Sequence, residues 1–291
     1  MNSPSKPLRR QTPLAVSGSL LLAVFATTSN AADVSRFREP KPRVVEDLFR
    51  AEVSFVGATY DTMVRLDDDN SGLRNTNIDV EDDLGLDDTR SLVQGEITFL
   101  PGERHLLRLS GQATRRSANM LLQRTITFED DTFVINGRVA SKLDLTLFGL
   151  TYGYRFLKRE RFELDGTFSI QIAEVDANIT GRDANGTQIR SAQDAEDGVA
   201  PIPLVGLEGR FDFGSRWSAE GRFQYVGANT EGIDASILDA RLAVTWRQSP
   251  YLVYGVGYRR FDIDVDADRD NDSGRVDLSI SGPMLFLRGS L

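Results

Sequence analysis

The chain has 291 residues, a formal net charge of −9 and no cysteine. The missing cysteine excludes disulfides, thiolate metal sites, a cysteine nucleophile and a lipoprotein anchor. Residues 1–31 carry three positive charges and no acid, so the net charge of the rest of the chain is −9 − 3 = −12. So acidic a surface argues against nucleic acid as a partner.

The first 31 residues have the pattern of a cleavable signal peptide. Three basic residues precede an apolar run from Leu14 to Ala26, and small residues at Ser29 and Ala31 suit cleavage. The run is shorter than the roughly 20 apolar residues of a spanning helix, so an uncleaved anchor is the less favoured alternative. Export is therefore predicted, with residues 32–48 as a periplasmic lead-in or a small plug.

Alternating residues dominate the rest of the chain. In residues 161–172 every second side chain is apolar or glycine, and the residues between them are polar or charged. A strand sorts side chains in this way and a helix does not. The same pattern predicts ten strands, at residues 49–66, 89–100, 104–117, 139–157, 160–178, 201–213, 216–227, 236–247, 251–265 and 275–289.

The connections between these strands alternate between short and long. Long polar connections are expected at residues 67–88, 118–138, 179–200, 228–235 and 266–274. An even number of strands with this rhythm is typical of a bacterial outer-membrane barrel. The predicted fold class is therefore all-β, with residues 49–291 forming one closed antiparallel up-and-down transmembrane β-barrel of about ten strands.

In this arrangement the termini and short turns face the periplasm, and the long loops face outward. The alternative is a soluble β-sandwich or lipocalin-like barrel, in which the apolar face would point inward. Aromatic residues near strand ends are expected to form girdles at the membrane interfaces: Tyr60, Phe99, Phe156, Phe213, Trp217, Trp246 and Tyr251.

The predicted polar faces carry acids and bases two residues apart on three consecutive strands. If they point inward, opposite charges on neighbouring strands pair and narrow the lumen. About ten strands leave little room, because eight already give a filled interior. A closed or very narrow lumen is therefore favoured. The members of this lumen charge ladder are Glu208, Arg210, Glu220, Arg222, Asp239 and Arg241, which Arg108, Glu96, Glu163 and Asp165 are expected to join.

Two acidic stretches are candidates for binding divalent cations, Ca²⁺ above all. The first predicted long loop holds nine acids against a lone Arg74, and a solvated loop without a ligand is its favoured interpretation. The second stretch is the run of alternating acids from Asp262 to Asp272. It departs from a calcium-binding EF-hand loop because predicted strands flank it and Asn271 stands where that loop has its turn glycine. A weak divalent-cation site is predicted there from Asp266, Asp268, Asp270 and Asp272. No other cofactor is expected.

Catalysis is not expected. His105 is the single histidine and follows the short turn at Pro101, so it is predicted to lie on the periplasmic side, away from the outer loops. A histidine-based hydrolase would have to use it. The chain also lacks the glycine-flanked serine of hydrolases, a phosphate-binding loop and zinc-ligand spacing.

With these residues in place, the chain resembles small proteobacterial outer-membrane barrel proteins of the porin-like or opacity-like kind. The resemblance lies in the signal peptide, the stretch Ile78–Leu86 and the segment Tyr152–Leu157 before a basic turn. It departs from them at the C-terminus, which ends in Leu291 where many such barrels have phenylalanine. It implies an outer-membrane location, assembly by the barrel assembly machinery, and contact with outer-membrane lipids and lipopolysaccharide.

The function predicted from these features is a non-enzymatic barrel with a structural or surface-interaction role. Its acidic outer loops would meet divalent cations, lipopolysaccharide or extracellular partners. A narrow porin or small-solute channel is the alternative, and an outer-membrane hydrolase is the second alternative.

Overall fold

A computed structural model describes residues 47–68, 77–122, 126–128, 131–133, 138–182, 188–193, 200–230, 233–269 and 272–290. The predicted signal peptide and nearly all of the lead-in lie outside these residues. No helix in the described part is both long and apolar enough to span a membrane. In chain order the strands are β1 (Phe49–Asp68), β2 (Ile78–Asp79), β3 (Thr89–Phe99), β4 (His105–Leu121), β5 (Ile126–Phe128), β6 (Asp131–Phe133), β7 (Arg138–Lys158), β8 (Phe162–Arg182), β9 (Gln188–Gln193), β10 (Ala200–Asp212), β11 (Trp217–Thr230), β12 (Ile233–Ser249), β13 (Leu252–Arg269) and β14 (Asp272–Ser290).

Ten of these strands close into a barrel. Each of the ten pairs antiparallel with its neighbour in the wall, and β14 pairs with β1 to close it. β8 pairs directly with β10, although β9 lies between them in the sequence. The short strands β2 and β9 pair antiparallel with the outer parts of β1 and β8, and β5 and β6 form a separate hairpin. The predicted closed antiparallel barrel of ten strands is therefore confirmed, and all ten predicted strands are present.

The apolar face of each strand points out of the barrel. Leu242, Val205 and Ile97 are 67%, 62% and 58% exposed, whereas the polar residues Ser54 and Ser169 are 0% and 1% exposed. An apolar outer band over a polar interior is the arrangement of a barrel that spans a membrane. The soluble alternatives are wrong, because they require the apolar face to be buried.

Aromatic side chains line the end of the barrel that carries the short turns. Phe49 stacks on Phe99 with 4.8 Å between ring centroids, and Trp246 lies 6.5 Å from Trp217 and 6.0 Å from Tyr254. Such rings mark a membrane interface. Tyr60 was also predicted in a girdle, and this is wrong, because its side chain points inward and is 2% exposed.

In two of the predicted long loops, at residues 228–235 and 266–274, the described residues belong to strands. β11 and β12 stay paired up to Thr230 and Ile233, and β13 and β14 stay paired up to Arg269 and Asp272. These segments are rich in Asp, Ser and Gly, which have low strand propensity, so their sequence resembles a loop. Hydrogen bonding to an already formed neighbour continues the strands above the apolar band.

Candidate functional site: the closed barrel interior

A network of ion pairs fills the part of the interior nearest the short turns. We call it the charged layer, and its members come from seven strands. Their side chains are buried or half-buried. They are Glu52, Glu96, Arg108, Glu208, Arg210, Glu220, Arg222, Arg241 and Arg288.

Four side chains of the charged layer form a closed ring. Arg222 donates to both carboxylate oxygens of Glu96, at 2.8 and 3.0 Å, and its Nε lies 3.1 Å from Glu208. Arg108 binds both oxygens of Glu208, and its Nε lies 3.5 Å from Glu96. Each acid therefore contacts two guanidinium groups, and paired forks of this kind are among the strongest protein hydrogen bonds.

A second chain of ion pairs runs beside this ring. Arg288 donates to both oxygens of Glu220, at 2.8 and 2.7 Å, and to Glu52 at 2.9 Å. Arg241 lies 2.6 Å from Glu52, and Arg210 lies 3.8 Å from Glu220. Buried charges are tolerated when they are paired with opposite charges, and each of these groups has such a partner.

The six residues of the predicted lumen ladder all point into the barrel, but not all of them pair with one another. Glu208 faces Arg222, and Arg210 faces Glu220, in the register of β10 and β11. Arg241 pairs instead with Glu52, and Asp239 pairs with Arg259 at 3.2 Å.

Sequence reasoning missed Glu52 and Arg288 as members of the charged layer, and Arg259 as the partner of Asp239. Glu52 and Arg288 lie at polar positions of alternating strands, between apolar or small neighbours, whereas Arg259 is followed by Arg260. Alternation was therefore an available signal for Glu52 and Arg288. The cavity that remains among the charged side chains is small, at about 80 Å³, and has room for a few water molecules.

An apolar layer lies between the charged layer and the outer end. On β1, for example, Glu52 is followed toward the outer end by Val56, Ala58 and Tyr60. The set spans seven strands, and Ala173 of β8 and Val226 of β11 pack against it. We define the apolar layer by its buried members: Val56, Ala58, Tyr60, Leu92, Leu145, Leu147, Leu204, Ile237, Ala243, Phe261, Ile280, Met284 and Phe286.

The two layers are joined by aromatic contacts to guanidinium groups. Arg241 and Arg288 lie 4.4 and 5.2 Å from the ring centroid of Phe286, and Arg259 lies 5.8 Å from that of Phe261. A cation over an aromatic face gains electrostatic energy without a counter-ion. The guanidinium groups therefore lie directly against aromatic rings of the apolar layer, beside a second and smaller cavity of about 20 Å³.

Residues 77–88 fold into the outer end of the barrel, and we call them the outer cap. Their apolar side chains Ile78, Val80, Leu84 and Leu86 are at most 5% exposed. They pack with residues of β7 and β8 as part of one buried cluster. This segment was expected to be a solvated acidic loop, and that expectation is wrong for its apolar half, because alternate residues are apolar and find the barrel interior.

Glu81 anchors the outer cap. It forms an ion pair with Arg116, which is 2% exposed, and accepts a hydrogen bond from the backbone N–H of Thr62 at 2.8 Å. Arg116 also lies 4.4 Å from the ring centroid of Tyr60. Asp79 instead serves the turn, accepting from the backbone N–H of Asp82 at 2.9 Å.

The predicted cation site lies on the extended parts of β13 and β14. Asp266 lies 3.6 Å from Arg275, so an arginine already contacts its carboxylate. Asp268 and Asp272 belong to the strands, and Asp270 lies outside the described residues. No group of three His, Asp or Glu side chains in the described part could hold a metal ion. Because Asp270 belongs to the proposed set, cation binding here stays a prediction.

His105 lies on the barrel's outer surface, at the start of β4. Its Nδ1 is 2.8 Å from the hydroxyl of Tyr152, and its ring meets Tyr154 edge-on at 5.5 Å. This end of the barrel carries the short turns, so the histidine lies among aromatic rings at the interface and away from the outer cap.

Solved structures of outer-membrane barrels resemble this architecture. The outer membrane protease OmpT from Escherichia coli matches with a TM-score of 0.54 at 13% identity, covering 85% of this chain and 98% of that one. The chain has the fold of an outer-membrane β-barrel. At this identity the likeness shows the fold alone, and protease activity is a property of OmpT.

Other solved barrels match with lower scores. The Pseudomonas putida toluene transporter TodX has a TM-score of 0.35 at 8% identity, covering 84% of this chain and 90% of that one. Neisserial surface protein A has a TM-score of 0.28 at 8% identity, covering 84% and 97%. No family model and no curated protein sequence matches the chain.

Proposed function

We propose that this protein is a closed, non-enzymatic outer-membrane barrel with a structural or surface-interaction role at its outer end. The observation that carries the proposal is the filled interior, in which the charged layer, the apolar layer and the outer cap follow one another. A solute crossing the barrel would have to displace all three. Ten strands also enclose far less space than the roughly 16 to 18 strands that leave an aqueous channel.

The interior also argues against the narrow-channel alternative. A conducting path needs continuous polar lining and water, whereas the thirteen buried residues of the apolar layer present hydrocarbon from seven strands. Filling of this kind excludes water, because interiors pack with few voids larger than a water molecule.

The non-enzymatic part of the proposal is supported by the position of His105. Its Nδ1 contacts a tyrosine hydroxyl, and it faces outward at the end with the short turns. The outer loops, where an outward-facing active site would be built, must therefore work without it. The acids of the charged layer are already bound by arginine guanidinium groups, so they are not free to meet a substrate.

Location completes the proposal. We infer export through the signal peptide of residues 1–31, insertion into the outer membrane of a Gram-negative cell by the barrel assembly machinery, and contact there with lipopolysaccharide. The short turns would face the periplasm. The outer cap and the acidic extensions of β13 and β14 would face the medium, where divalent cations or extracellular partners meet them.

Single-channel conductance in a planar lipid bilayer tests the closed interior. The refolded protein, with and without Ca²⁺, is expected to give no current steps even when protease protection or gel migration shows that it is inserted. Steady, reproducible steps from inserted protein would overturn the proposal and favour the narrow channel, with the charged layer as its lining.

A further inference from the structure

The barrel wall has an open seam between β10 and β11. These strands pair from Val205 and Tyr225 down to Asp212 and Ser218. Above Val205, residues 200–204 pair with β8 but not with β11, and residues 226–230 pair with β12 but not with β10. We define the seam as these two five-residue strand edges, which face each other without ladder pairing in the described structure.

Prolines explain why the seam opens here. Pro201 and Pro203 lie in the part of β10 that pairs with β8 but not with β11. A proline has no N–H to donate to a neighbouring strand. Pro283 on β14 is a useful contrast. Pairing of β14 with β1 lapses beside it but resumes at Thr59 and Ser281, so that proline leaves no open edge.

The seam lies where the apolar band of the barrel ends. Beside the prolines, Ile170 and Ile172 of β8 face outward, at 40% and 37% exposure, and Val205 and Tyr225 face outward directly below. On the far side, the outward positions of β12 opposite Gly227 and Asn229 are Ser236 and Asp234. The open edges therefore span the depth at which acyl chains meet polar headgroups.

A second divergence in the wall differs from the seam in its surroundings. β3 and β4 stop pairing above Val93 and Ala113. The outward residues there are Ser91, Arg115 and Ser117, which belong to the polar zone, so water can satisfy that edge.

Water cannot reach the seam from inside the barrel. Leu204 is 0% exposed and belongs to the apolar layer, and Ile202 and Val226 pack against it. Unpaired backbone groups cost free energy at membrane depth unless they find a partner. A partner for the seam must therefore come from the membrane side.

We propose that the seam binds lipopolysaccharide. Its amide-linked hydroxyacyl chains offer both donors and acceptors at the right depth. The β11 edge of the seam presents N–H and C=O groups, and the β10 edge presents carbonyl groups at its prolines. The ester linkages of glycerophospholipids only accept. One acyl chain would pack on Val205 and Tyr225. The inference rests on the membrane orientation in the proposed function, and it does not depend on whether the lumen conducts.

Lipid retention tests this site in the full protein. The refolded chain in detergent is mixed with purified lipopolysaccharide, or with phosphatidylglycerol, and the bound lipid is counted by native mass spectrometry. Pro201→Val with Pro203→Val restores two donors, and should lower retained lipopolysaccharide at least about fivefold, as expected from one lost hydrogen bond. The control Pro283→Val should retain it fully.

Three outcomes of that measurement would overturn the proposal. The double variant could retain lipopolysaccharide as the parent does, Pro283→Val could lose it equally, or phosphatidylglycerol could be retained as well as lipopolysaccharide. Conductance of the same samples keeps this test separate from that of the proposed function, since a silent barrel can lack the lipid and a conducting one can hold it.

A second measurement leaves both prolines in place, in case the double variant does not fold. Because the chain has no cysteine, a photoreactive label can be placed at Tyr225→Cys beside the seam, with Leu285→Cys on lipid-facing β14 as the control. With lipopolysaccharide at stoichiometric amounts, light should cross-link it at position 225 and not at 285. Equal cross-linking at both positions would contradict a site at the seam.

Discussion

The charged layer and the apolar layer close the same barrel by opposite physical means. In the charged layer each group depends on a named partner, as Glu96 depends on Arg222 and Arg108. In the apolar layer, aliphatic residues such as Leu204 contribute through the volume that they fill. The difference teaches that the first layer is sensitive to the loss of one charge, and the second to the loss of bulk.

The outer surface of the same strands provides a third environment. There, lipid surrounds the apolar side chains and water surrounds the charged ones above them. Loss of a group on this surface can be compensated by the surroundings, whereas neither interior layer has a solvent to replace what is removed. Substitutions in the three environments should therefore differ in size.

The largest effect is expected in the charged layer. Arg222→Ala leaves Glu96 and Glu208 with one guanidinium fewer in a buried site, and should lower the free energy of unfolding by about 3 to 5 kcal/mol. Urea unfolding of the protein refolded in lipid vesicles measures this. Adding Glu208→Gln to the variant should recover part of the loss, and a change below about 1 kcal/mol for the single variant would refute the dependence on partners.

An intermediate effect is expected in the apolar layer. Leu204→Ala removes a side chain that is 0% exposed and should cost about 3 kcal/mol through lost burial and a residual cavity. The matched control is Leu207→Ala on the same strand, whose side chain faces lipid and is 50% exposed. Lipid can fill the space it leaves, so a smaller change is expected in the same unfolding measurement. Equal losses at the two positions would show that interior packing is not what matters.

The smallest effect is expected on the outer surface above the apolar band. Lys142 lies 2.8 Å from Asp144 and its side chain is 58% exposed. Lys142→Ala should change the free energy of unfolding by no more than about 0.5 kcal/mol, since exposed pairs are screened by water and salt. Repeating the unfolding with added salt should abolish even that difference. A loss comparable to that of Arg222→Ala would mean that exposure does not separate the three environments.

Much of the barrel wall could be predicted from local pattern. Alternation identified the ten strands and both faces of each, because a strand places neighbouring residues on opposite sides. Prediction failed for the outer parts of β11 to β14, where Asp, Ser and Gly suggest loops and only pairing with a formed neighbour keeps the strand. It also failed for Tyr60, whose position near a strand end says nothing about which way it points.

The sequence by itself determined which residues share a face, and thus that Glu208, Arg210, Glu220 and Arg222 lie together on one side of two adjacent strands. Only the tertiary structure decided that this side is the inside, and that Arg222 meets Glu96, 126 positions away. Alternation fixes side-chain direction relative to neighbours in the chain. Barrel closure fixes which strands face each other across the lumen, and that depends on the register of all ten strands together. Packing of the outer cap depends on the same closure, because its apolar side chains are buried against residues of β7 and β8 inside the closed barrel.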